Sequence, residues 1–187
     1  HEFGANRQLI LLLKSLFFLL TVIRREGIAL LHANGPQTNI PAGIAGRMMG
    51  VLVVWHARNC LREGMVDIDR LTGFLPQRII CNSEAIRSRF LGGITEKKSL
   101  TIINSVDLAD FDPHQSGLSI RKELGIPDEA IVIGMTSRLS REKGQHTLLE
   151  ACALLKDHFQ DIFILLIGDP IFNEDKDVPT SLQNMAD

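Results

Sequence analysis

Short, continuous apolar runs alternate along this chain with stretches whose apolar residues recur at helical spacing. The runs fall at residues 28–33, 51–56, 78–81, 100–103, 130–136 and 162–167. Runs of this kind, apolar at successive positions, are what strands buried on both faces of a parallel sheet require. Between them, helices are expected at 9–23, at about 39–49, near 67–74, from Ser83 onward, at 119–124 and at about 143–158. Ser83 stands where an N-cap belongs, and Gly125 with Pro127 closes the 119–124 helix. Ala42, Gly43, Ala45 and Gly46 give the second helix a small-residue surface suited to close packing on a sheet. Strand and helix in alternation predict a doubly wound, parallel α/β sheet.

Two stretches break that rhythm. Residues 9–23 are apolar apart from Lys14, Ser15 and Thr21. They fall short of the ~20 residues that span a bilayer. A helix covering the sheet is the favoured reading. A helix lying in a membrane surface, with Phe17 and Phe18 entering lipid, and a true span are the alternatives. Residues 104–117, rich in Asp, Ser, His and Pro, carry little periodicity and mark a boundary. The expected division is 1–106 and 107–187. The tail from Asn173 reads as polar and incomplete, and the abrupt opening His1-Glu2-Phe3 reads as the interior of a longer protein.

Composition narrows the picture a little. With 187 residues, 45% hydrophobic and 22% charged, the chain is ordinary for a globular protein. Its net charge of −2 and scattered basic residues argue against nucleic acid as a partner. Cys60, Cys81 and Cys152 are odd in number and far apart, which fits a reducing compartment better than a disulfide framework or a zinc site.

The chemistry concentrates at residues 131–144. An apolar strand runs into Ser137-Arg138-Leu139-Ser140-Arg141-Glu142-Lys143-Gly144, and a helical pattern follows with Leu148, Leu149, Cys152 and Leu155. Ligands of open α/β sheets bind beyond the carboxyl ends of strands, where helix N-termini offer free N–H groups. Arg138 and Lys143 add two full positive charges there, suited to a phosphate or diphosphate. Solvated loop charges beside an ordinary helix start satisfy the same spacing. His56 ends a strand at the corresponding edge of the first domain, where an imidazole can hydrogen-bond a hydroxyl or carry a proton. His32 lies within its own strand and is expected in the core. Asp67 and Asp69 stand in a helix-like segment and not at a strand end, so no metal site is expected.

The segment 136–144 resembles the G-R-L-x-x-E-K-G loop of family 4 glycosyltransferases, retaining enzymes of the GT-B fold, with Ser137 in place of the usual Gly. Further matches follow in order. Residues 103–107 with Phe111 are similar to P-N-G-V-D-x-x-x-F, with Ser105 for Gly. Residues 50–56 are similar to G-V-P-V-V-x-x-H, with Leu52 for Pro. Cys81-Asn82-Ser83 matches a strand end bordering the cleft, and Ile167-Gly168-Asp169-Pro170 resembles V-G-D-G-P minus one Gly. Together they cover about residues 28–170.

The resemblance implies two Rossmann-like parallel-sheet domains of GT-B type, both incomplete here: an acceptor-side domain and the start of a nucleotide-sugar domain. It implies that Arg138 and Lys143 hold the diphosphate of a sugar nucleotide and that His56 sits near the reacting sugar. Ser137, Gly144, Gly168 and Asp169 are further donor-side candidates, with Gly168 expected at a close backbone approach. Asn34, Gly35, Arg58 and Asn59 are acceptor-side candidates. No cofactor or metal is expected. The partners are a nucleotide sugar and a glycan or lipid-linked acceptor, in the cytoplasm or at the inner face of its membrane. The family's Glu-x7-Glu motif has no counterpart, since Glu142 and Glu150 carry that spacing in the wrong element. The expected activity is therefore sugar transfer with retention by the longer protein, this stretch being inactive alone. A GT-B sugar-nucleotide epimerase and a non-catalytic binding module are the alternatives.

Overall fold

The computed structural model describes residues 2–61, 64–155, 158–159 and 161–186. The chain divides into two compact units, His1–Phe111 and Asp112–Asp187, a few residues beyond the division expected at 106/107.

In the first unit, helix α1 (Glu2–Glu26) leads into strand β1 (Leu30–Asn34), helix α2 (Pro36–Met49) and strand β2 (Leu52–Ala57). A single-turn helix α3 (Ile68–Leu71), strand β3 (Arg78–Cys81), helices α4 (Glu84–Arg87) and α5 (Gly93–Lys98), and strand β4 (Ser99–Thr101) complete it. The four strands are parallel in the order β1-β2-β3-β4. Helix α2 begins three residues before the expected Asn39, because Pro36 meets the first-turn requirements of a helix and its missing N–H costs nothing there. Ser83 caps α4 as expected, its hydroxyl accepting from the Ile86 N–H at 3.3 Å.

One face of the sheet carries the core: Ala33, Val53, Trp55, Ala57, Ile79 and Cys81 pack with Ala42, Leu75, Ile86 and Phe90. The small residues of α2 make this possible. A Cβ on Gly46 would lie 2.1 Å from the Val53 Cγ2 and 3.0 Å from the Val51 carbonyl oxygen. Helix α1 covers α2 and the start of β1 through Leu16, Leu19, Leu20 and Ile23, so the covering-helix reading of residues 9–23 describes its inner side. Its outer side leaves Ile10, Leu13, Phe17 and Phe18 exposed. Among the described residues no helix is long and apolar enough to cross a membrane.

The opposite sheet face is less covered, with Leu30, Leu52 and Leu100 exposed. His32 belongs to this face. The expectation of a core histidine was wrong because β1 alternates: Ala33 points into the core and its neighbour His32 points away.

The second unit contains helix α6 (Leu118–Glu123), strand β5 (Ile131–Thr136), a 3-10 turn (Arg141–Lys143), helix α7 (Gln145–Leu155), strand β6 (Ile162–Ile167) and helix α8 (Val178–Ala186). Strands β5 and β6 pair in parallel from Ile131↔Ile162 to Thr136↔Ile167. The tail, which reads from sequence only as polar and incomplete, carries helix α8. Val178 and Leu182, one turn apart, bury against Leu149. Helix α7 starts later than the expected Lys143, because the 3-10 turn and Gly144 intervene. Residues 156–157 of its expected length lie outside the described residues.

Replacing Gly46 by Ala tests the α2–sheet contact. Helix propensity favours Ala by ~1 kcal/mol, but overpacking against a β-branched, buried Val53 costs ~1–3 kcal/mol. Urea titration followed by circular dichroism is expected to show a net loss of stability. A gain would mean that α2 rides further from β2 than described.

Candidate functional site

The residues at 137–144 form a corner beyond the end of β5. Its backbone is laid against the end of β6: the Ser137 N–H donates to the Ile167 carbonyl at 3.0 Å, and the Leu139 N–H to the Asp169 carbonyl at 3.2 Å. Gly168 makes this approach possible. A Cβ there would stand 1.9 Å from the Ser137 carbonyl oxygen, and its φ of +146° lies where side chains are rarely tolerated. Gly144, with φ +81°, makes the left-handed turn from the 3-10 segment into α7. Ser137, Arg138, Gly168 and Asp169 are therefore brought together, with Lys143 and Gly144 closing the corner at the start of α7.

Behind the corner lies a residue that sequence reasoning passed over. Gln145 is buried, and its amide nitrogen donates to the Ser137 hydroxyl at 2.9 Å and to the Arg138 carbonyl at 2.6 Å. Ser140 is equally buried, its hydroxyl without a hydrogen-bond partner among the described residues. Arg138 itself faces outward. Its Nη2 donates to the Glu142 carboxylate at 2.9 Å, and its guanidinium carbon lies over the Phe172 ring, 4.9 Å from the centroid. Lys143 is exposed. Arg141 pairs instead with Asp177 of the segment leading into α8. The corner thus presents two cations, Arg138 and Lys143, ahead of the N-terminus of an eleven-residue helix, an arrangement that attracts anions.

The first unit holds the other candidates. Asn34 and His56 are register partners in adjacent strands. The Arg58 Nη1 donates to the Asn34 Oδ1 at 3.1 Å, so these three residues form one group at the carboxyl ends of β1 and β2. The His56 ring stacks on His32, with centroids 5.6 Å apart and 15° between planes. The buried Nε2 of His56 has no hydrogen-bond partner among the described residues. Desolvation, then the neighbouring His32 and the Arg58 charge, hold its pKa below the usual histidine value. The imidazole is consequently neutral at physiological pH, able to accept or to donate one hydrogen bond.

Gly35 precedes α2, and its carbonyl accepts from the Thr38 hydroxyl at 2.9 Å. Asn59 lies apart from the Asn34 group, its carbonyl accepting from Arg89. Arg58 and Asn59 line a cavity of about 370 Å³, whereas Asn34 and His32 line a second of about 600 Å³ beside α1. Asp67 and Asp69 are occupied by Arg89, which grips Asp67 at 2.8 and 3.0 Å and stands 3.6 Å from Asp69. Burial pushes the Asp67 carboxyl up, but the Arg89 guanidinium and the Arg70 N–H outweigh it and hold the pKa below the usual carboxylate range. Sequence reasoning missed Arg89 because nothing in its own segment signals a partner 22 residues away.

Comparison with known proteins bears on the fold. The chain is an α/β protein of GT-B type. Residues 118–187 match the family model described as glycosyl transferases group 1. Over 68 residues the chain is 41% identical to D-inositol 3-phosphate glycosyltransferase of Corynebacterium urealyticum, covering 34% of this chain and 16% of that protein. Anabaena HepE, solved in complex with UDP-glucose, superposes with a TM-score of 0.74 at 25% identity, covering 91% of this chain and 47% of that one. The UDP-GlcNAc 2-epimerase of Neisseria meningitidis, solved bound to UDP-GlcNAc, shares the fold at a TM-score of 0.58 and 16% identity, covering 93% and 50%. The chain therefore spans about half the length of these solved relatives and less of the inositol phosphate enzyme.

The neutral state of His56 has a sign that can be measured. The unfolded chain takes up a proton below pH 6.5, which the folded environment of His56 disfavours. Its contribution to stability is complete above that pH and is lost as pH falls toward the lowered folded value. Denaturation of the parent and of His56→Asn at pH 7.5 and pH 5 is expected to show a steeper acid loss in the parent. Equal slopes would mean that His56 is protonated as readily folded as unfolded.

Proposed function

We propose that this chain is part of a glycosyltransferase that moves a sugar from a nucleoside diphosphate sugar to an acceptor hydroxyl with retained configuration. The observation that carries the reading is the β5–α7 corner, where Arg138 and Lys143 stand before a helix N-terminus within the segment matched by the group 1 family. The UDP-glucose complex of HepE, a structural relative across most of the chain, supports a nucleoside diphosphate as the ligand. As the sugar–oxygen bond breaks, negative charge grows on the departing diphosphate. Donors already fixed in place stabilise that charge without reorganising, and loss of one typically costs ~3 kcal/mol of barrier. Arg138 and Lys143 fill this role without calling on a divalent ion.

In the first unit, Asn34, His56 and Arg58 form the acceptor-side group of this reading. A neutral His56 with a free Nε2 suits a sugar or acceptor hydroxyl, and Arg58 suits an acceptor that carries an anionic group. Ser137, Gly144, Gly168 and Asp169 shape the donor corner through their backbone, while Gly35 and Asn59 border the acceptor side. On this reading the acceptor is a glycan or a lipid-linked hydroxyl, met in the cytoplasm or at the inner face of its membrane. On this reading the 187-residue chain binds the nucleotide diphosphate but does not complete transfer.

Isothermal titration of the chain with UDP tests the corner. Arg138→Ala with Lys143→Ala is expected to weaken binding by more than tenfold, since each removes a charge-assisted contact of ~1.5–3 kcal/mol. Parental affinity in the double variant would place the nucleotide elsewhere and end the reading. In the longer protein, a glycosylated acceptor distinguishes transfer from the 2-epimer that an epimerase would release.

A further inference from the structure

We infer that Phe172 is a positioning residue for the anion site, acting through Arg138; this rests on the reading of the β5–α7 corner given above. Phe172 follows β6, in the loop after Pro170, and is half exposed. It is absent from the hydrophobic cluster of the second unit, where Leu149, Val178 and Leu182 pack with Leu139, Ile164 and Leu166. The core therefore does not account for an aromatic ring at this position. What the ring does touch is the guanidinium of Arg138, at 4.9 Å from its centroid.

That contact decides which part of Arg138 stays available. A guanidinium carries its five N–H donors in one plane, and its flat faces donate nothing. Packing against the Phe172 ring restricts the guanidinium and offers it no competing acceptor. Glu142 takes a donor on one edge at 2.9 Å, and Gln145 holds the carbonyl of the same residue from behind. A long, rotamer-rich side chain is thus set in orientation before any ligand arrives, with in-plane donors left for a planar, charge-assisted contact with phosphate oxygens. The ordering entropy that an unsupported arginine would lose on binding is lost on folding instead. Two arguments point away from a stack against the nucleobase as the ring's main role. The ring face that meets Arg138 is already covered, and the partner carries a delocalised positive charge that an aromatic face attracts.

The test uses the 187-residue chain, UDP and uridine as probes, and the variants Phe172→Leu, Phe172→Trp and Arg138→Ala. Leu keeps the apolar volume and removes the π face; Trp keeps the face. An exposed cation–π contact is worth enough for a roughly two- to fivefold change. Phe172→Leu is expected to weaken UDP by that factor and to leave uridine unchanged, while Phe172→Trp restores the parental value. In proton–nitrogen NMR spectra, the Arg138 Nε–Hε signal should lose its ring-current shift in Phe172→Leu and recover it in Phe172→Trp. Parental UDP affinity in Phe172→Leu overturns the inference. So does an equal loss for uridine and UDP, which would put the ring against the base, and so does failure of Trp to restore. If Phe172→Leu melts lower than the parent, recovery of affinity and of the Nε–Hε signal in Phe172→Trp still separates orientation from folding. The corner itself fails on different results: no UDP binding by the parent, or none lost in Arg138→Ala.

Discussion

The direction in which Arg138 points depends on how the backbone beneath it is held, and one buried amide does much of that holding. The Gln145 side chain bridges the Ser137 hydroxyl and the Arg138 carbonyl from the first turn of α7. The amide can do this because α7 is itself fixed, through Leu149 against Val178 and Leu182 of α8 and the apolar residues of β6. The corner's other side is pinned by the Ile167 and Asp169 carbonyls, which continue the β5–β6 pairing past the end of the strands. Gly168 is the concession that lets the two segments come so close. Packing in the core is thereby transmitted, through one polar side chain and two backbone hydrogen bonds, to the direction of a charge on the surface.

Much of this was legible because the strands announce themselves. A parallel strand must be apolar at successive positions, and each run read from the sequence contains or overlaps a strand of the structure. The charges of the corner were legible for a similar reason: Arg138 and Lys143 follow such a run and precede a helical pattern. Gln145, Phe172 and Arg89 were not legible, and the reason is common to all three. Their roles are defined by a partner distant in sequence or by a loop's path, and neither leaves a periodic trace. Helix α8 was hidden by Pro179 and a polar surface, although Val178, Leu182 and Met185 keep helical spacing. His32 was misplaced because an apolar run does not tell which members face the core when only one face of the strand is covered.

The two units ask opposite things of their polar residues. Around Arg138 the second unit holds positive charge out toward solvent, spending a carboxylate and an aromatic face to keep it in one orientation. Around His56 the first unit suppresses positive charge. Partial burial, the stacked His32 and the nearby Arg58 each disfavour a proton on the ring. Arg58 does this without leaving its place, since Asn34 holds its guanidinium by one donor. A protonated imidazole could only donate at Nε2, whereas the neutral ring can also accept there. Acceptance is what a hydroxyl that must lose its proton requires of its neighbour. On the reading proposed above, the Asn34–Arg58 contact keeps a positive charge in place beside an imidazole that burial and His32 already hold neutral.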